Sequence, residues 1–76
     1  MKPERLIIFW NDSRNYWVSD VEGEQNPVDI PMFATFTQIE DAMINLAARY
    51  DISLESGDIA IDPKTEGGFA VWQKNS

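Results

Sequence analysis

The chain has 76 residues, a net charge of −7 from 13 Asp and Glu against six Lys and Arg, and neither His nor Cys. That inventory removes Ser-His and Cys-His nucleophilic catalysis, ordinary zinc and haem ligation, and a disulfide framework. The cations are scattered at Lys2, Arg5, Arg14, Arg49, Lys64 and Lys74, so neither nucleic acid nor an anionic membrane meets a clustered positive surface.

A chain this short makes one domain, residues 1–76, and its stability must come from packing. Three Trp, four Phe and two Tyr supply large apolar areas for that purpose. Arg5 to Trp10 is rich in β-branched and aromatic side chains and predicts a strand. Asn11 to Asn15 is turn chemistry, because short polar side chains bond the nearby backbone. Tyr16 to Glu22 predicts a second strand hairpinned to the first, and Gly23 to Pro27 breaks it. Val28 to Phe36 is bracketed and interrupted by Pro27 and Pro31, which lack an amide hydrogen, so it is not a regular central strand. Met32 to Thr35 is placed as a short edge strand before the helix.

The helix carries the strongest pattern. Ile39, Ala42, Met43, Leu46, Ala47 and Tyr50 form one apolar stripe at helical spacing. Thr37 with Glu40 fits a capping box, and Glu40 and Asp41 fall at the positive end of the helix dipole. Asp41, Asn45, Ala48 and Arg49 face solvent, and the helix ends near Tyr50 or Asp51. Ile52 and Leu54 then anchor a connector closing at Ser56-Gly57-Asp58. Ile59 to Asp62 predicts a short strand. Pro63 to Gly68 is a turn, with Gly67-Gly68 followed by a strand and so not a phosphate cradle. Phe69 to Gln73 is the last strand, hairpinned to the previous one. The fold class is α+β: a small antiparallel sheet of four to five strands with one helix packed on one face, in the order β-β-(β)-α-β-β.

One helix covers one face of such a sheet, yet both faces of these strands are apolar. Leu6, Ile8 and Trp10 point one way and Ile7 and Phe9 the other; Tyr16 and Val18 oppose Trp17 and Val21; Phe69 and Val71 oppose Ala70 and Trp72. The expectation is an aromatic, apolar surface on the side away from the helix, unless Val28 to Phe36 or the connector folds over it. Register decides which set faces the helix, since a slip of one residue exchanges the two.

Carboxylates are the only acid-base groups. A glycosidase-type pair needs a cleft to raise one pKa, and a one-helix chain of this size offers little room for one. The run Asp20-Val21-Glu22-Gly23-Glu24 lacks the glycine position and distal Glu of a calcium loop. No cofactor or metal is expected, and the chain is not expected to be an enzyme. On an extended strand Asp20, Glu22 and Glu24 would share one face at a spacing of about 6.6–6.8 Å, comparable to successive phosphates. With Asp12, Asp29 and Glu55 nearby, such a row presents a phosphate-like field to a basic groove. Its structural counterpart is a charged edge that keeps the strand from pairing with other chains.

The stretch from Tyr16 to Arg49 resembles HicB-type antitoxins: a strand hairpin, a Pro-containing extended piece, then a helix entered through a Thr followed by an acidic residue and Ala, here Thr37, Glu40 and Ala42. The glycine-rich centre of that family has no counterpart between Pro31 and Thr37. The resemblance implies an antitoxin-like domain that dimerises through an aromatic sheet face.

Size, charge and surplus rings point first to a small acidic regulator or inhibitor that binds another protein with a basic surface. The specific expectation is a phage or mobile-element inhibitor of a nucleic-acid-handling complex, as anti-CRISPR proteins are, working by polyanion mimicry. The partner-binding set is Tyr16, Trp17, Asp20, Glu22, Glu24 and Asp29, with the acids in a basic groove and Trp17 or Tyr16 as anchor. The alternative is the antitoxin-like or housekeeping interaction domain, forming a homodimer through its aromatic face. Leu6 to Trp10 is too short for a signal core or a membrane span, and with no disulfides the expected compartment is the cytoplasm.

Overall fold

A computed structural model describes residues 2–62 and 69–74. It contains β1 (Arg5–Asn11), β2 (Tyr16–Val21), β3 (Glu24–Val28), helix α1 (Phe36–Ala48), a 3-10 turn at Ser56–Asp58, β4 (Ala60–Asp62) and β5 (Phe69–Gln73). The strands form one antiparallel sheet in the order β3-β2-β1-β5-β4, with α1 packed against it. The α+β class and the one-sided helix are therefore as the sequence predicts. The expected turn over Pro63 to Gly68, including Gly67-Gly68, lies outside the described residues.

β1 is central because its run is apolar on both faces. It pairs Ile8 with Ser19 of β2 and with Ala70 of β5. Its hairpin to β2 is organised by Asn11, whose side-chain oxygen accepts from the N–H groups of Ser13 (3.0 Å) and Arg14 (3.2 Å) while its carbonyl accepts from Asn15 (2.9 Å). The second hairpin departs from expectation. Glu22 (φ 55°) and Gly23 (φ 89°) both take positive φ, as the two central residues of a type I′ turn do. The chain therefore reverses after Val21, and the break expected over Gly23 to Pro27 is confined to the turn, with Glu24 opening a third strand. In such a hairpin Val21 and Glu24 exchange hydrogen bonds, as do Ser19–Asn26 and Trp17–Val28, so the backbone of Pro27 points outward. β3 is an edge strand, which is where a proline fits. Met32 to Thr35 forms no strand.

The helix stripe is as read: Ile39, Met43, Leu46 and Ala47 are buried, with Ala42 and Tyr50 partly so, while Asp41, Asn45, Ala48 and Arg49 are exposed. Its start is two residues earlier than predicted. Thr35, not Thr37, is the N-cap. Its hydroxyl accepts from the Gln38 N–H at 3.2 Å, and the Gln38 side chain accepts from the Thr35 N–H at 2.8 Å. The same capping chemistry uses Gln in place of Glu40, and no acidic residue sits in the first turn. The chain leaves the helix through Asp51 at φ 59°. Ile52 N–H bonds Ala47 O (3.0 Å) and Asp51 N–H bonds Ala48 O (3.2 Å), a Schellman pattern.

Leu6, Ile8, Ile39 and Met43 are fully buried between sheet and helix, joined by Trp17, Val21, Leu46, Ala47, Ile59 and Ala70. The helix lies over β1, β4 and β5. The β2–β3 side is left to the segment that leads into the helix, and that placement builds the first candidate surface.

Candidate protein-docking surfaces

From Ile30 to Ile39 no residue is charged, in a chain where 25% of residues are. The structure turns part of this run outward. Phe33 is 72% exposed, Met32 50% and Phe36 49%, the largest exposures of any large hydrophobic side chain among the described residues. Both ends of the loop are tied. Before it, the Trp17 indole Nε1–H donates to the Pro31 carbonyl at 2.9 Å, with the Met32 carbonyl at 3.4 Å. After it, the Thr35–Gln38 capping box sets the entry into α1. Met32 and Phe33 are thus presented on a short, pinned loop, with Phe36 next to it at the start of α1, which lowers the entropy lost when they are buried by a partner. The uncharged run was the sequence signal for this surface, and reading it as a strand concealed it.

Beside the loop, between α1 and β3, lies an open groove of about 500 Å³. Ile8, Val28, Ala42 and Leu46 contribute apolar lining, Asp29 and Asp41 bring carboxylates from its two sides, and Arg49 adds one guanidinium. Asp29 and Asp41 make no side-chain hydrogen bond or ion pair among the described residues.

The second surface is the sheet face away from α1. The register places Ile7, Phe9, Tyr16, Val18, Phe69 and Val71 there, with Phe9 paired to both Val18 and Phe69. Val18 is buried by its neighbours, Ile7, Phe9, Tyr16 and Val71 are half-buried, and Phe69 is 41% exposed. Val28, Ile30 and Ala34 of the segment 28–36, and Ile52 and Leu54 of the connector after the helix, pack against the core on the helix side instead.

The predicted partner-binding residues do not form one site. Trp17 is 3% exposed on the helix side, edge-on to Trp10 with ring centroids 5.9 Å apart at 70°. It is a core residue whose indole N–H holds the loop. Tyr16, the adjacent residue, points to the open face, where its hydroxyl accepts from Arg14 Nη1 at 3.3 Å. The row of acids is dissolved by the type I′ turn. Asp20 lies on β2 facing the open side, bonded by Gly23 N–H (3.0 Å) and Gln25 Nε2 (3.2 Å). Glu22 is in the turn and accepts from the Glu4 N–H at 3.2 Å. Glu24 pairs with Val21 on the helix side of the sheet. Asp29 is in the groove beside the loop.

No group of three carboxylates that could hold a metal ion occurs among the described residues, and no described helix is long and apolar enough to cross a membrane. Compared with protein-family models, curated proteins and solved structures, the chain matches none. Its function is therefore argued from these surfaces.

Proposed function

We propose that this chain is a small acidic regulator that acts by binding another protein, with the Pro31–Thr35 loop and the adjoining Phe36 as its docking element. The observation that carries the reading is the exposure of Phe33 and Met32 on a loop pinned by Trp17 and by the Thr35–Gln38 cap. Aromatic side chains presented in this way are the usual anchors of protein interfaces. Asp29 and Asp41 beside the loop favour a partner whose apolar pocket has a basic rim. Steering by a chain of charge −7 raises the rate of encounter with such a surface. Inhibition of a nucleic-acid-handling complex, in the manner of a mobile-element inhibitor, agrees with this preference for a basic surface. The acids serve there as a rim around an apolar anchor, and not as a phosphate-spaced row. No catalytic step is assigned to the chain.

The test is affinity capture from the source cells on the immobilised chain, run in parallel with Phe33→Ser and with a Met32→Ser, Phe33→Ser double variant. A protein retained by the parent chain and lost with the double variant, while both fold alike by circular dichroism, is the expected result. Retention unchanged by the double variant would remove the loop from the interface. Asp29→Asn with Asp41→Asn is expected to weaken capture mainly at low salt, because rim charges act through screened fields.

A further inference from the structure

We propose that Met32 is a reversible oxidation site: hydrogen peroxide converts it to the sulfoxide and releases the chain from its partner, and a dithiol reductase restores it. The release rests on the docking reading given to the loop, whereas the selectivity of the oxidation does not.

The sulfur inventory is the first argument. The chain has no Cys and three Met, at positions 1, 32 and 43. Met1 lies outside the described residues. Met43 is fully buried beneath the sheet, while Met32 is 50% exposed. No thiol competes for the oxidant, so among the described residues Met32 is the one sulfur that a small oxidant in water can reach.

Position gives that sulfur its consequence. Met32 precedes Phe33, the most exposed large apolar side chain described, and both lie in the uncharged run from Ile30 to Ile39. The backbone there is held from below, because the Trp17 indole N–H donates to the Pro31 carbonyl at 2.9 Å and lies 3.4 Å from the Met32 carbonyl. The core that anchors the loop contains Met43 and Trp17 but not Met32. Oxidation at Met32 therefore alters the docking surface and leaves the fold in place.

The chemistry is a two-electron oxygen transfer. A sulfur lone pair attacks one peroxide oxygen, the S–O bond forms as the O–O bond breaks, and the departing hydroxide takes the remaining proton to become water. Sulfur is oxidised and the peroxide is reduced. The sulfoxide is a polar hydrogen-bond acceptor, and burying it in an apolar pocket without a donor is costly. Together with the lost apolar burial, this should weaken docking at least about tenfold. In the return step two thiols become a disulfide and the sulfoxide oxygen leaves as water. The chain has no Cys, so both thiols belong to the reductase, which meets its substrate on an exposed loop.

The experiment treats the purified full chain with hydrogen peroxide and follows each methionine by peptide mass spectrometry. Met32 should convert at least about tenfold faster than Met43, which reacts only when the core opens. The chain oxidised at Met32 is then compared with the parent, with Met32→Leu and with the Met32→Ser, Phe33→Ser double variant in the capture assay given above. The expected result is unchanged circular dichroism, at least about tenfold weaker capture of the protein that the parent retains, and recovery after methionine sulfoxide reductase with dithiothreitol. Met32→Leu keeps an apolar side chain and should capture equally well before and after peroxide. Equal rates at Met32 and Met43 would overturn the proposal, as would peroxide-sensitive capture that persists in Met32→Leu. Full capture by the oxidised chain, with capture lost in the double variant, would overturn it while leaving the loop as the docking element. Full capture by the double variant would remove the loop reading and the proposed release together.

Discussion

The indole N–H of Trp17 reaches the carbonyl of Pro31, fourteen residues along the chain, at 2.9 Å. The ring belongs to the core, at 3% exposure, while the carbonyl belongs to the loop that exposes Phe33. One hydrogen bond thus ties a buried aromatic side chain to the backbone of the loop, two residues before its most exposed one. Replacing Trp17 by Phe keeps an aromatic ring under the loop and removes the donor. The expected loss is about 1–2 kcal/mol, from the bond and the small void together. Hydrogen exchange at the Met32 and Phe33 amides should quicken beyond what that loss predicts for the sheet. Uniform quickening of sheet and loop alike would mean that the bond stabilises the fold without steadying the loop.

Thr35 and Thr37 give opposite expectations. Thr35→Ala removes the hydroxyl that accepts from Gln38 and should cost about 1 kcal/mol in a urea titration. Thr37→Ala places a better helix former at an exposed position of the first turn and should be neutral or slightly stabilising. The reverse order would put the cap at Thr37.

Met43 is fully buried under the sheet. Met43→Ala should cost about 2–5 kcal/mol, a large part of the stability of a chain this size. Phe33→Ala, at an exposed position, should change stability by no more than about 0.5 kcal/mol. Thermal or urea unfolding of the two variants separates a structural side chain from one exposed for docking.

Glu22 holds φ at 55°, in the left-handed region, ahead of Gly23 at 89°. Asn is favoured over Glu at the first central position of a type I′ turn. Glu22→Asn should therefore raise the unfolding free energy by about 0.5 kcal/mol, less whatever the Glu4 amide bond contributes. A marked loss of stability would show that the Glu22 carboxylate matters more than the turn conformation.

Periodicity and residue chemistry alone were enough for the helix stripe from Ile39 to Ala47, the strands around Leu6 to Trp10 and Phe69 to Gln73, and the two-sided apolar character of the sheet. These features repeat along the chain at 3.6 or two residues, and such repeats survive any tertiary arrangement. The positions of Glu24 to Val28 and of the helix cap were less legible. Pro27 forbids a central strand but not an edge strand whose outward amide it replaces, and only the order of the sheet tells these apart. Thr35 and Thr37 are both competent caps, and the structure uses Thr35, with Gln38 as its reciprocal partner.

The sequence by itself determined that one amphipathic helix would cover half of an apolar β layer, because that follows from counting faces. Only the tertiary structure decided that Trp17 lies beneath the covered half, that Asp20 and Glu24 look to opposite sides, and that Phe33 stands in solvent. For the strands the reason is register: side chains alternate every residue, so the β1–β2 pairing sets the face of Trp17 and the two-residue turn at Glu22-Gly23 sends Glu24 to the side opposite Asp20.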